Sequence, residues 1–317
     1  MGKPVLFVTR RLPASIEALA VRDYDARLTP SDVAIADLLV RAEGADALLC
    51  CPGDVLDAET IAALPGSVRV IGTFSVGYDH IDVAAAKARG IRVCNTPDVL
   101  SVATAECAML LILAAARRAG EGERLVRSGK WAGWAPTQLL GTQVSGRRLG
   151  IFGMGRIGRE IARMGRGFGR EIHYRDMTRL SPDLEQGAVF HDNDDSFLPI
   201  CQVLSLNAPG GGGTRHWLDN GRIAKLPPGA VVVNAARGTL VDDTALIAAL
   251  RSGHVAAAGL DVYNGEPALH PDYVTLENVV LLPHLGSATV ETRDAMGRVV
   301  LAGIGAVLAG ETPANLV

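Results

Sequence analysis

The stretch Arg148-Leu149-Gly150-Ile151-Phe152-Gly153-Met154-Gly155-Arg156-Ile157-Gly158 decides the fold. A short apolar run, read as a strand, leads without a gap into G-x-G-x-x-G and then into a helical pattern that reaches to about Gly169. The first glycine permits a tight turn, the second lets an anion approach the backbone, and the third lets the helix pack closely on the strand. Free amides at the start of that helix, with its positive dipole end, attract an anion without a lysine. The next strand, Glu171–Arg175, ends at Asp176, roughly 20 residues on, where an acid can hold the hydroxyls of an adenosine ribose. Strand, turn, helix, strand and acid in that order point to a dinucleotide, and a nicotinamide dinucleotide is expected. Asp176 would repel a 2′-phosphate and so favours NAD. Arg175 and Arg179 flank it and could bind one, which leaves NADP open.

On both sides of this stretch, short Val/Ile/Leu runs alternate with Ala-rich helical stretches, the pattern of parallel strands covered on both faces by crossover helices. The fold class is α/β. Upstream, strands are expected near Pro4–Val8, Ala45–Cys50, Val68–Gly72 and Ile91–Cys94, with a helix Val83–Arg89 capped by Asp82 and ended by Gly90. A long helix, Ser101–Arg118, is followed by a loop holding Trp131 and Trp134. Downstream, Arg148–Phe152, Glu171–Arg175, Ala188–His191, Gln202–Leu206, Val231–Asn234, Ala256–Leu260 and Val279–Leu282 would complete a doubly wound sheet. The last segment, Ala288–Leu308, reads as a helix with no nearby sheet lacking a strand, so it is expected to return to the first domain. The organisation expected is a first domain of residues 1–100 completed by 286–317, with a second domain, 101–285, inserted in it.

At 317 residues the chain has room for about two domains. With 31 Lys+Arg against 34 Asp+Glu, no basic excess draws in a nucleic acid. The longest apolar stretch, Cys107–Ala116, is flanked by Glu106 and Arg117 and falls short of the roughly 20 residues a bilayer span needs. No signal-like apolar region opens the chain, and a cytoplasmic protein is expected. The 5 cysteines lack C-x-x-C spacing and mostly sit in apolar runs, as buried thiols do. The histidines form no H-E-x-x-H motif or Cys/His cluster, so no metal is expected. Glycine is in excess, 36 residues or about 11% against ~7% usually, and Gly210–Gly213 reads as a flexible loop.

Three polar groups follow three strands of the second series. Val231–Asn234 runs into Ala235-Ala236-Arg237-Gly238, Ala256–Leu260 ends at Asp261, and Val279–Leu282 ends at Pro283-His284. In a parallel sheet all carboxyl ends share the edge that carries the glycine turn, where ligands bind. Arg237, Asp261 and His284 are therefore expected to converge on the cofactor, and Glu266 can reach the same crevice. Arginine binds carboxylate with a planar fork and stays charged. Histidine can move a hydroxyl proton near neutral pH. A neighbouring Glu266 would orient His284 and favour its protonated form. Val76–Gly77, just after the strand Val68–Gly72, is a turn that can aim successive amides at an anion.

At these residues the chain resembles the D-isomer-specific 2-hydroxyacid dehydrogenase family, particularly its glyoxylate/hydroxypyruvate reductase branch. The motifs are Ser75-Val76-Gly77-Tyr78-Asp79-His80-Ile81-Asp82, Asn95-Thr96-Pro97, Ala103-Thr104-Ala105-Glu106, Gly153–Gly158, Asn234–Gly238, Gly259-Leu260-Asp261-Val262, Glu266-Pro267 and Pro283-His284-Leu285-Gly286-Ser287-Ala288. The resemblance implies a Rossmann cofactor domain inserted in a flavodoxin-like substrate domain, with a closing hinge and a homodimer. It implies Arg237, Glu266 and His284 as the catalytic set, acting on small 2-oxo or 2-hydroxy acids. For the cofactor it implies Thr104, Gly153, Gly155, Arg156, Ile157, Gly158, Asp176, Ala235, Ala236 and Gly286, with Asp261 on the nicotinamide carboxamide. Backbone amides of Val76 and Gly77, with Arg237 and His284, would bind substrate. Two departures stand out: Asp98 occupies a position where the family usually has glycine, and Gly210–Gly213 replaces a more ordered loop. The competing class is a dinucleotide-sensing scaffold or corepressor of the same fold, and the nearer enzymatic rival is a D-3-phosphoglycerate dehydrogenase. Trp131 and Trp134 sit in a loop where aromatic side chains commonly anchor subunit contacts.

Overall fold

The computed structural model describes residues 2–34 and 36–317. Its chain divides into two compact units, Met1–Leu100 with Ala288–Val317, and Ser101–Ser287. The returning segment begins at Ala288, two residues beyond the expected 286.

The first unit is a five-stranded sheet made of β1 (Val5–Val8), β2 (Asp25–Arg27), β3 (Ala47–Cys50), β4 (Val70–Thr73) and β5 (Arg92–Cys94). These five strands pair in parallel, in the order β2-β1-β3-β4-β5, the flavodoxin-like doubly wound order, and Cys94 of β5 makes an isolated antiparallel bridge to Leu316. β3 and β4 are buried along their whole length, which is why they read as unbroken apolar runs. β2 was not among the strands expected. It is Asp-Ala-Arg, with both charged residues exposed, and at a sheet edge such charges discourage further pairing while erasing the apolar signal. The helix Val290–Leu308 is capped by Thr289, whose side chain accepts from Thr292 N. It packs on β4 at Gly72, where an added Cβ would meet Ile304 at 2.6 Å and Val300 at 2.7 Å. Asp98 has φ 69°. Aspartate is a residue type that tolerates left-handed backbone through its short polar side chain.

The second unit is a seven-stranded parallel sheet: β6 (Leu149–Phe152), β7 (Ile172–Arg175), β8 (Val189–His191), β9 (Val203–Leu206), β10 (Ala230–Asn234), β11 (Val255–Leu260) and β12 (Val279–Leu281). The order is β12-β11-β10-β9-β6-β7-β8, a Rossmann arrangement whose direction reverses between β6 and β9. The helix Ser101–Ala116 lies against β11 at Gly259, where a Cβ would come 2.8 Å from Leu111. It is shorter than expected because Arg118 adopts φ 53° and a second helix, Ala119–Arg127, starts there. Two glycines in Ala119–Arg127 hid this helix, since each lowers helix propensity by about 1 kcal/mol relative to alanine.

Candidate active site

The glycine turn leaves β6 at the point where strand order reverses. Gly153 has φ +91° and lies so close to the loop after β9 that a Cβ would stand 2.6 Å from Ala208 N. Gly158 faces the carbonyl of Gly153, 2.2 Å from where its Cβ would be. A Cβ on Gly155, in contrast, would meet nothing within 4 Å. Two glycines are therefore needed for packing, and the middle one opens onto free space. Gly155 also caps the helix Arg156–Arg166 without a side-chain hydrogen bond, leaving amides at that end for an anion. These features fit a dinucleotide's pyrophosphate, with Arg156 and Ile157 opening the helix. Asp176 follows β7, and its carboxylate accepts from Met154 N and Met177 N, both at 2.7 Å. Of the flanking arginines, Arg179 is paired with Glu185 at 2.9 and 3.1 Å. Arg175 lies 3.6 Å from Asp194 and donates to the Asp176 carbonyl.

Across β10, β11 and β12 the register sets Asn234 beside Leu260 and Leu260 beside Leu281. Adjacent parallel strands lie about 4.8 Å apart, so the segments that follow, ending in Arg237, Asp261 and His284, emerge side by side. The Ala235–Arg237 turn is stapled by buried Asn234. Its Oδ1 accepts from Ala236 N at 3.0 Å and its Nδ2 donates to Arg237 O at 2.9 Å. Gly210 presses on the Arg237 stem, 3.2 Å from Cγ for an added Cβ, so the glycine run has a packing role at its first residue.

Asp261 is fully buried, and its carboxylate accepts from Leu285 N at 2.6 Å and Gly286 N at 2.8 Å. Burial pushes its carboxyl above the ordinary range, against the pull of those two amides and of the His284 charge. Together with its own carbonyl, which accepts from His284 N at 2.9 Å, Asp261 clamps the whole loop His284–Gly286 and holds His284 at φ 57°. Thr104, on the helix Ser101–Ala116, lies beside the same loop; its Oγ1 would be 3.5 Å from a Cβ on Gly286.

The side chain of His284 meets Glu266 at 2.7 Å, Nδ1 donating to Oε2. The other oxygen, Oε1, accepts from Tyr263 N at 2.8 Å. Burial works against the Glu266 carboxylate, yet the hydrogen bond and charge of His284, the Tyr263 amide and the charge of Arg237 together hold its carboxyl below the ordinary range. The Arg237 guanidinium is thus an electrostatic neighbour of this pair. His284 Nε2 makes no hydrogen bond among the described residues, and the side chain is 43% exposed. That is the disposition of an imidazole oriented through one nitrogen and presenting the other to a ligand.

In the five-stranded unit, Val76 and Gly77 follow β4 and are half-buried. Sequence reasoning placed Asn234 and Asn95 within motifs but gave neither a role, and the latter donates through Nδ2 to Val76 O at 2.8 Å. An asparagine closing an apolar strand before a turn was the available signal. His173 and His191 are hydrogen-bonded to each other at 3.0 Å away from these residues, and burial lowers the pKa of both. Among the described residues no group of three or more His, Cys, Asp or Glu could hold a metal ion.

Comparison with known proteins bears on this arrangement. Residues 109–286 match the model of the D-isomer specific 2-hydroxyacid dehydrogenase NAD binding domain. The chain is 43% identical over 300 residues to a glycerate dehydrogenase of Hyphomicrobium methylovorum, covering 93% of both chains. A glyoxylate reductase from Paecilomyes thermophila superposes with a TM-score of 0.88 at 35% identity, covering 100% of this chain and 99% of that one. An NADPH-dependent glyoxylate/hydroxypyruvate reductase from Sinorhizobium meliloti, in complex with NADP and malonate, superposes with a TM-score of 0.87 at 30% identity, covering 100% and 97%. A glycine turn built for a nicotinamide dinucleotide, three polar loops on one sheet edge and these likenesses over the full length place the chain in the D-isomer specific 2-hydroxyacid dehydrogenase family, as an NAD(P)-dependent oxidoreductase.

Proposed function

We propose that this protein reduces small 2-oxo acids, glyoxylate or hydroxypyruvate, to D-2-hydroxy acids. A dihydronicotinamide held at the glycine turn and the loops after β10–β12 would supply the hydride for the carbonyl carbon. Arg237 holds the substrate and polarises its carbonyl with a fork that stays charged at any working pH. His284 delivers the proton from Nε2 to the carbonyl oxygen, while Glu266 accepts Nδ1–H and stabilises the charged imidazole before transfer. Amides of Val76 and Gly77 are assigned to the substrate carboxylate. Thr104, Ala235, Ala236, Asp261 and Gly286 are assigned to the nicotinamide end. Both Asp261 oxygens are engaged with the loop amides, so a carboxamide contact would draw on its remaining lone pairs.

The single observation that carries this reading is the 2.7 Å His284–Glu266 pair, with the Arg237 charge acting on the same carboxylate. The names of the relatives, glycerate dehydrogenase and glyoxylate reductase, support the choice of substrates. NAD is the preferred cofactor, because Asp176 closes the ribose end while Arg179 is committed to Glu185. A homodimer is proposed, with exposed Trp131, Trp134 and Leu140 on the second unit as its contact residues. A cytoplasmic setting agrees with five free cysteines, and no described helix is long and apolar enough to cross a membrane. The test is oxidation of NADH and NADPH with a panel of oxo acids, followed by chiral analysis of the product. Absence of turnover with both glyoxylate and hydroxypyruvate would end the assignment.

A further inference from the structure

At the carboxyl end of β4, successive carbonyl groups of the loop are taken up from one direction. Ser75 O accepts from Thr96 N at 2.9 Å, and Val76 O accepts from Asn95 Nδ2 at 2.8 Å. Both donors belong to the segment that continues β5. Gly77 O in turn accepts from the buried Ser75 Oγ at 2.5 Å. In a trans peptide the C=O and the following N–H lie in one plane and point opposite ways. Holding the Ser75 carbonyl therefore sets the Val76 N–H, and holding the Val76 carbonyl sets the Gly77 N–H. Both amides are turned away from Asn95–Thr96, and among the described residues neither donates to a protein acceptor. Successive amides aimed in one direction form an anion-binding concavity.

Asn95 differs from the other members of this set, because it fixes a peptide plane of the loop with a side chain from another strand. It is itself held at both backbone groups by one residue: Asn95 N donates to Asn315 O at 3.1 Å, and Asn315 Nδ2 donates to Asn95 O at 2.8 Å. Asn315 is buried, and its side chain fills the space at Gly303, where a Cβ would come within 2.6 Å of it. Val317 N donates to Val93 O at 2.9 Å and keeps the segment alongside β5.

We infer that Asn95 is a positioning residue for the substrate carboxylate: by donating to the Val76 carbonyl it aims the Gly77 amide, and Asn315 holds Asn95 in register. The inference rests on the reading of the protein as a 2-oxo acid reductase whose Val76 and Gly77 amides take that carboxylate. Asparagine suits the task because it donates without charge. An aspartate in its place would turn a carboxylate toward a carbonyl oxygen and toward the bound anion.

The test compares wild type, Asn95→Ala, Asn95→Asp and Asn315→Ala. Four quantities are measured: KM and kcat for glyoxylate, the inhibition constant of oxamate, NADH affinity by fluorescence titration, and the unfolding midpoint. A hydrogen bond to a charged group is worth about 10- to 100-fold. KM and the oxamate constant are expected to rise together by about that factor in Asn95→Ala and further in Asn95→Asp, with a smaller rise in Asn315→Ala. NADH affinity is expected to hold and kcat to change much less than KM. Unchanged KM and oxamate constants overturn the inference, as does a parallel fall of kcat, NADH affinity and stability, which would mark a purely structural residue. Should Asn95→Asp not fold, Asn95→Ala and Asn315→Ala still decide between these outcomes. Failure of the wild-type protein to turn over glyoxylate or hydroxypyruvate is a separate result and counts against the reaction; oxamate binding to the variants then decides the role of Asn95 alone.

Discussion

Gly238 stands against the backbone of Tyr263 so closely that a methyl group on its Cα would fall 1.8 Å from the Tyr263 carbonyl carbon. This approach joins the Arg237 turn, which follows β10, to the Tyr263–Glu266 loop, which follows β11. It brings the guanidinium-bearing segment to the carboxylate that orients His284. Only glycine fits, since the obstruction is main chain and cannot rotate aside.

Gly238→Ala is therefore expected to destabilise the protein by about 1–3 kcal/mol through overpacking and to remove most activity by displacing Arg237. Calorimetry and the NADH assay check both. A variant with unchanged midpoint and turnover would show that the approach is not needed.

Arg237→Lys keeps the charge and loses the planar fork. Its KM for the oxo acid is expected to rise by about tenfold or more, Arg237→Ala by a larger factor, with NADH affinity preserved in both. Steady-state kinetics and cofactor titration separate the two effects.

Glu266 gives a dependence on pH with a definite sign. Its folded-state carboxyl lies below the ordinary range, so the charged form stabilises the native state. That contribution is full above the unfolded value of ~4.3 and is lost as pH falls through the lower folded value. Glu266→Gln should flatten this part of the acid limb of the unfolding midpoint. An acid limb identical to wild type would contradict the coupling to His284.

Asp176 predicts cofactor choice. kcat/KM is expected to be higher with NADH than with NADPH, and Asp176→Ser should narrow the ratio by about tenfold or more by removing the charge that opposes a 2′-phosphate. Equal use of both cofactors by the wild-type protein would mean that Arg175 or Arg179 leaves its acidic partner to bind the phosphate.

Much of this was legible in the sequence because buried parallel strands are apolar on both faces and chemistry-bearing residues stand just past their ends. All seven strands of the second sheet and the placement of Arg237, Asp261 and His284 could be read in that way. β2 could not, being a charged edge strand of 3 residues, and Ala119–Arg127 could not, because its glycines look like a loop. Asp261 was visible as an acid at a strand end, but its grip on Leu285 N and Gly286 N depends on a loop path that no local pattern encodes. Asn95 and Asn234 were equally obscure in their roles. An asparagine that holds one carbonyl or staples one turn has the same local signature as any turn asparagine.

His284, held through Nδ1 by Glu266, is proposed to give up the proton that completes the reduction. Single-turnover NADH oxidation with saturating glyoxylate in His284→Asn, alongside NADH affinity by titration, isolates that role. A loss in rate of about 100- to 10,000-fold is expected, with cofactor affinity unchanged. A variant that turns over near the wild-type rate would overturn the assignment.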